Sequence, residues 1–428
     1  DLHSFPTRRS SDLSFITQND KRMKILFVID TIDNHNGTSV SAKRFASELR
    51  SRGHEVKFLT TGVPDYERFV VPEYHFPLMH GLVKRHGFTY GQAKEDVIRE
   101  ALEWCDVAHC YMPFGLEIAT KRMAIEMGKP CTAAFHVQPE NVTATFRMQN
   151  FKWANTIFYN ILNRKFFKYF RHIHCPSRFI ADYLVHLGYT AEMHVISNGC
   201  PSEYHWHKCP KPAWCADKFV VLMVGRLSPE KHQGTILNAV RHSAYEKQIQ
   251  VILVGYGLSK RKLRRKGKRL SNTPRIGFMS DKNLMEALGY ADLYVHASEV
   301  ELESISCLEA MGSGLVPLIS SSTLSATSQF ALDCRSLFAP RKPRLLAQKI
   351  DYWIEHPKEK EECSKNYLGY TNQFDQSSCM HKMREMLLTY ANNPLAHTSK
   401  LKYYYTDELN DDFANNGIVA AHNKPGYR

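Results

Sequence analysis

Residues 297–320 read ASEVELESISCLEAMGSGLVPLIS, and this stretch sets the architecture. The residues just before it, from about Asp292 to His296, form a short apolar run that reads as a buried strand. Leu315 to Ser320 reads as another. Between them a helix is expected, with Ser304 as N-cap and with Leu308 and Met311 inside it. Gly312 and Gly314 stop it. Glu301 then sits on a loop at a strand's C-terminal end, and Glu309 a little over one turn into the helix. Both carboxylates face a ligand lying across the helix N-terminus. That end presents unpaired N–H groups and roughly half a positive charge, which suits a diphosphate. Carboxylates suit hydroxyls, one set on a sugar and one on a ribose. The arrangement fits a nucleotide-sugar better than a nucleotide alone.

The chain has 428 residues, enough for two domains with full cores. Apolar content of 43% and charged content of 23% are those of an ordinary soluble domain and argue against disorder. A formal net charge of +13 argues for an anionic partner, whether phosphate ligand, acidic lipid surface or nucleic acid. The 11 cysteines are odd in number and lack C-x-x-C pairs, which speaks against a disulfide framework and for a reducing cytoplasm. No apolar run approaches the roughly 20 residues of a spanning helix.

Residues 1–22 include SFPTRRSSDL, which reads as a translated adapter, so the natural start is expected at Met23. From Lys24 a strand, a polar loop carrying Gly37, a helix closed by Gly53 and a second strand make a β-loop-α-β unit. The loop lacks G-x-G-x-x-G, so an ordinary dinucleotide site is not expected there. Residues 64–93 read as irregular. Asp106 to Pro113 reads as a buried strand, followed by a helix ending at Gly128. The next strand ends near His136, at the edge where α/β sheets gather ligands. From Asn141 to Ala181 there is no acidic residue. Lys152, Arg164, Lys165, Lys168 and Arg171 interleave with Trp153, Phe158, Phe166 and Tyr169. A basic helix with an aromatic face is what an anionic bilayer attracts, although a core helix with a solvated basic face fits the same pattern.

The second half opens on KFVVLMVGRLSPEK, a strand ending at Gly225 with Arg226 directly after it and Lys231 before a helix. Two cations at a strand mouth suit a departing nucleoside diphosphate, whose negative charge grows as the bond breaks. A further strand ends in Gly255-Tyr256-Gly257. Lys260 to Arg269 holds eight basic residues in ten, either a solvated helix face or a contact for lipid phosphate or nucleic acid. Cys200, His205, His207, Cys209 and Cys215 match no zinc spacing, and no metal is expected. Helices are expected over 343–356, 358–370 and 376–391.

The two-Glu helix, the G-R-x(4)-K segment and Ile196-Ser197-Asn198-Gly199 together resemble the retaining family 4 glycosyltransferases of GT-B fold. The resemblance covers roughly Lys24 to Tyr390. It departs after the first Glu, where the family's Gly-Phe-Gly is replaced by Leu302, Glu303 and Ser304. It implies an α/β chain of two Rossmann-like domains facing across a cleft: an acceptor-side domain at 23–199, a nucleotide-sugar domain at 200–375, and a helix at 376–392 crossing back. Residues 393–428 are left as an extension or a truncated further segment. The implied activity is transfer of a hexose from a UDP-hexose such as UDP-glucose, with retention and without metal or other cofactor. Glu301 would hold sugar hydroxyls, and Glu309 the ribose. Arg226 and Lys231 would hold the diphosphate, and His136 the sugar from the opposite domain. Gly37 would face the acceptor and the sugar, Gly225, Gly255, Ser304 and Ile305 would line the donor, and Gly277 and Phe278 would lie near the base. The chain is also similar to the diacylglycerol glucosyltransferases. That implies a membrane lipid acceptor and peripheral attachment at the inner face of the cell membrane through Lys152, Trp153, Arg164, Lys165, Lys168 and Arg171. A polysaccharide or cell-wall precursor is the alternative acceptor. A basic nucleic-acid-binding protein is the alternative from another class, though no nucleic acid is expected as partner.

Overall fold

The computed structural model describes residues 22–33, 36–75, 89–144 and 151–392. The expected leader before Arg22 and the tail beyond residue 392 lie outside the described residues.

Thirteen strands build two parallel sheets among the described residues. In the first, β1 (Lys24–Thr31), β2 (Glu55–Thr61), β3 (Arg68–Val70), β4 (Val107–Cys110), β5 (Cys131–Ala134), β6 (His172–Cys175) and β7 (Glu192–Val195) lie in the order β3-β2-β1-β4-β5-β6-β7. In the second, β8 (Phe219–Val224), β9 (Ile249–Val254), β10 (Arg275–Gly277), β11 (Leu293–His296), β12 (Pro317–Ser320) and β13 (Leu337–Phe338) lie in the order β10-β9-β8-β11-β12-β13. Helices cover both faces of each sheet, so the strands read as near-continuous apolar runs such as FVVLMV and IQVILV. Both orders reverse once, between β1 and β4 and between β8 and β11. In such sheets ligands bind outside the carboxyl ends of the strands at that reversal. Gly225 and Arg226 follow β8, and Glu301 follows β11, so the sequence has loaded the reversal of the second sheet.

Two short strands fall where the sequence signals none, the first inside the segment read as irregular. Arg68–Val70 pairs with β2, and Glu73 bridges Gly91. Leu337–Phe338 extends the second sheet beside β12. Both are sheet edges, too short to carry an alternating pattern, and β3 is cut off by Pro64 and Pro72.

The helix Gln376–Asn392 returns to the first sheet. Its Met380, Met383, Met386 and Leu387 share one core cluster with Phe27 and Phe45. Hydrogen bonds between the two halves then join them across the cleft. Ser177 Oγ donates to Leu302 O at 2.5 Å, Gln138 Nε2 to Leu324 O at 2.9 Å, and the Asn198 N–H to Glu303 Oε2 at 2.9 Å.

Three strand ends in the second sheet are tied by backbone. Gly225 N–H donates to Val254 O at 2.9 Å, and Gly255 N–H to Gly277 O at 2.8 Å. At Gly255 φ is +147°, and a Cβ there would stand 2.0 Å from Gly225 O. We expect Gly255→Ala to destabilise by more than about 2 kcal/mol, since strain and backbone overlap add. Gly115→Ala, with open space around its Cβ, should stay within about 0.5 kcal/mol of the parent. Denaturant unfolding of the two variants measures the difference.

Candidate active site

The helix Ile305–Gly312 begins where the sequence places it. Ser304 is the N-cap, its Oγ accepting from Cys307 N–H at 3.3 Å. The Ser306 hydroxyl donates to Val224 O at 3.2 Å, which sets the helix N-terminus against the end of β8 and so beside Gly225 and Arg226. Arg226 keeps 39% of its side-chain surface exposed, with Glu230 at 3.4 Å. The Gly37 end of the helix Gly37–Ser51 faces Ile305, so the N-termini of these two helices meet across the cleft.

Glu301 is the centre of this arrangement. Lys231, 70 positions earlier in the chain, donates to its Oε1. His296, the last residue of β11, places Nε2 3.0 Å from the same oxygen. Burial alone would raise the Glu301 pKa. The Lys231 ammonium and the His296 contact outweigh it and hold the pKa at about 2. The carboxylate is therefore ionised at any working pH. Its backbone is pinned as well: Ala326 N–H donates to Glu301 O at 2.9 Å.

His296 was not singled out by sequence reasoning. A His ending an apolar strand looks like a core histidine, and only its place five residues before Glu301, at a sheet's carboxyl edge, could have marked it.

Glu309 is placed differently from Glu301. Its Oε1 accepts from Arg44 Nη2 of the helix Gly37–Ser51 at 2.7 Å, a pair that crosses between the halves with side chains 16% and 9% exposed. Burial raises the Glu309 pKa and Arg44 counters it. In this state Glu309 faces a guanidinium rather than an open site. Glu303, which replaces a residue of the family's Gly-Phe-Gly, has a partner too: Asn198 donates to its Oε2 through both backbone N–H and Nδ2, at 2.9 and 2.6 Å. The segment that departs from the family pattern is thus the segment the first domain grips.

His136 stacks on Tyr111 with ring centroids 5.6 Å apart and meets His174 edge-on at 5.3 Å. Its Nε2 is enclosed and has no hydrogen-bond partner among the described residues. Burial, reinforced by His174, pushes its pKa well below the usual range, so the ring is neutral. The helix Pro139–Ala144 that follows lies against Pro229–Lys231 of the other half. Gly277, expected near the base, ends β10, and Phe278 is 60% exposed beside it.

The basic aromatic segment divides in two. Tyr159, Phe166, Phe167 and Phe170 are core. The helix Lys152–Lys165 instead shows solvent Trp153, Ile157, Phe158 and Ile161, with Phe151 just before it, and Lys152, Arg164 and Lys165 are exposed around them. The continuous aromatic face expected through Phe158, Phe166 and Tyr169 is not formed, because the helix ends at Lys165 and a short 3-10 turn rotates Phe166 and Phe167 inward. Lys168 is exposed and Arg171 half-buried.

A family model described as Glycosyltransferase Family 4 matches residues 35–204, and one described as Glycosyl transferases group 1 matches residues 208–368. A GDP-mannose-dependent alpha-mannosyltransferase of Mycobacterium tuberculosis is 23% identical over 307 residues, 65% of this chain and 74% of its own. HepE of Anabaena, solved with UDP-glucose, superposes with TM-score 0.67 over 86% of this chain and 100% of its own, at 20% identity. The catalytic domain of a cholesterol-alpha-glucosyltransferase of Helicobacter pylori is 40% identical over 36% of this chain and 99% of its own, and its TM-score of 0.34 lends no weight to fold or function.

Glu303 yields a pH prediction. Burial, only partly offset by Ser197 and Asn198, raises its pKa from 4.5 to about 7. Between those values the folded state holds a proton that the unfolded state has lost. The stability this contributes is present below the unfolded value and is lost as pH rises through about 7. Glu303→Gln keeps an acceptor for Asn198 and removes the titration. The melting temperature of the parent should fall relative to Glu303→Gln between about pH 5 and about pH 8. Parallel curves would assign the proton elsewhere.

Proposed function

The chain belongs to the family 4 glycosyltransferases of GT-B fold, and from that premise we propose that it moves a hexose from UDP-glucose or another UDP-hexose to the hydroxyl of a membrane lipid such as diacylglycerol, with retention of configuration. The observation that carries the donor half is the meeting of Lys231, His296 and Glu301 beside the N-terminus of the helix Ile305–Gly312.

In this reading the diphosphate lies between Arg226, Lys231 and the helix N–H groups, which stabilise its growing charge. Those cations do the work a divalent ion does elsewhere, so transfer is expected without added metal. Glu301, held ionised, accepts hydrogen bonds from sugar hydroxyls, and neutral His136 adds a hydrogen-bonding ring from the other half. The bond from the anomeric carbon to the phosphate oxygen breaks. The acceptor oxygen bonds to the same face of that carbon, and its proton passes to the departing phosphate oxygen. The ribose reaches Glu309 only by sharing it with Arg44 or displacing it, which ties donor entry to the contact between the halves.

The acceptor half rests on the helix Lys152–Lys165. Exposed Trp153, Ile157, Phe158 and Ile161 ringed by Lys152, Arg164 and Lys165 suit the interface of an anionic bilayer. No described helix is long and apolar enough to cross a membrane. Docking is therefore peripheral in this proposal. A GDP-mannose donor is the second reading, favoured by the mannosyltransferase relative.

Two experiments test these halves. Incubation with radiolabelled UDP-glucose, UDP-galactose or GDP-mannose and mixed lipids should move label from a UDP-hexose into the lipid phase. Arg226→Ala should lower kcat roughly 10²-fold or more, the scale of a lost oxyanion-type donor. Label transferred from GDP-mannose alone would select the second reading. Separately, Trp153→Ser with Ile157→Ser should abolish sedimentation with anionic vesicles and leave the melting temperature within a few degrees, since both side chains are exposed. Unchanged sedimentation would end the docking assignment.

A further inference from the structure

Far from the cleft, among the described residues, one group of three ligating side chains converges: His172, Glu192 and His194. β6 and β7 run parallel with His172 opposite Glu192, and His194 stands two residues beyond Glu192 on the same face. His172 Nδ1 lies 2.9 Å from His194 Nε2 and 3.1 Å from Glu192 Oε2. All three ligand atoms fall within 4.8 Å of one another. The His172 side chain is 5% exposed and that of Glu192 12%, so the group is largely shielded from water.

One Nδ1 faces two neighbours at once. If it carries a proton, that proton is shared between an imidazole lone pair and a carboxylate. If it is bare and accepts from His194, its lone pair points at Glu192. A cation in the middle removes the conflict, because each of the three atoms then turns a lone pair to it. Two imidazole nitrogens and one carboxylate oxygen form a borderline donor set that suits zinc better than magnesium or calcium. We propose that His172, Glu192 and His194 bind one zinc-class divalent ion, with water in the fourth position.

The site stands at the amino ends of β6 and β7, opposite the edge that carries the proposed transfer chemistry. β7 is the outer strand of its sheet, and Tyr390 of the returning helix packs edge-on against His172 with centroids 5.1 Å apart. An ion there staples the open edge of the sheet beside the helix that closes the fold. Its role is stability, and the proposal is independent of the donor and acceptor assigned above.

The test uses the full chain, dialysed against a chelator, then titrated with zinc alone by calorimetry and thermal unfolding. The wild type should take up one tight equivalent and melt higher with it, since binding to the folded state alone raises stability. His194→Gln and Glu192→Gln should each weaken that equivalent by roughly tenfold or more, at least the cost of losing an outer-shell partner. Cobalt in place of zinc should give the intense visible bands of a four-coordinate site in the wild type. That readout needs no variant to fold. Absence of a tight equivalent, equal uptake by parent and variants through surface histidines, or only the weak bands of hexaaquo cobalt would overturn the assignment.

Discussion

Glu301 keeps its negative charge out of water because Lys231 and His296 stand against it. Taking a carboxylate into a protein costs several kcal/mol unless a cation and hydrogen bonds replace the lost solvent. Here the cation comes from a loop 70 residues earlier, so the loops after β8 and β11 must be held face to face. The sheet order places those two strands side by side, and Glu299 N–H, donating to Glu230 O at 3.0 Å, ties the two loops that follow them. A buried ion pair is weak evidence for stability, since well-packed apolar residues often do as well. Its position at the reversal of a doubly wound sheet makes it evidence for a site.

The same economy of charge governs how the halves meet. Glu303 is gripped by Asn198, and Glu309 by Arg44, so two of the three acidic side chains around the helix N-terminus bind the opposite half. Removing Arg44 would leave the Glu309 carboxylate buried without its cation. Of these groups, Glu309 is the one that the proposed nucleotide site would also use. In the proposed reaction the donor competes with the protein's own contacts, and its ribose and diphosphate replace a guanidinium and a carboxylate as partners. Binding of the donor and the spacing between the halves are then one equilibrium.

Much of this was legible in the amino-acid string. Ser304 followed by an apolar helix and two glycines marks the helix with little ambiguity, and strand-terminal Gly225 with Arg226 marks the facing loop. The pairing of Lys231 with Glu301 follows from a parallel sheet in which the first and fourth strands of the half are neighbours. The rest depends on tertiary neighbours that local patterns do not carry. His296 has the setting of a core histidine until Glu301 folds back on it. Arg44 sits on an ordinary amphipathic helix, and only the approach of the second half gives it Glu309. The basic aromatic segment was read as one stripe because periodicity assumes a continuous helix. The chain turns after Lys165 and sends Phe166, Phe167 and Phe170 to the core, leaving Trp153, Ile157 and Ile161 outside. β3 and β13 are three and two residues long, below the length at which alternation can be read.

The central claim is that Arg226, Lys231 and Glu301 form one donor site. A crystal structure of the protein with an unreactive UDP-hexose tests it most directly. The account predicts the diphosphate between the Arg226 guanidinium and the Lys231 ammonium, at the N-terminus of the helix Ile305–Gly312, with sugar hydroxyls on Glu301. A nucleotide bound elsewhere, or a diphosphate that touches neither cation, would contradict it.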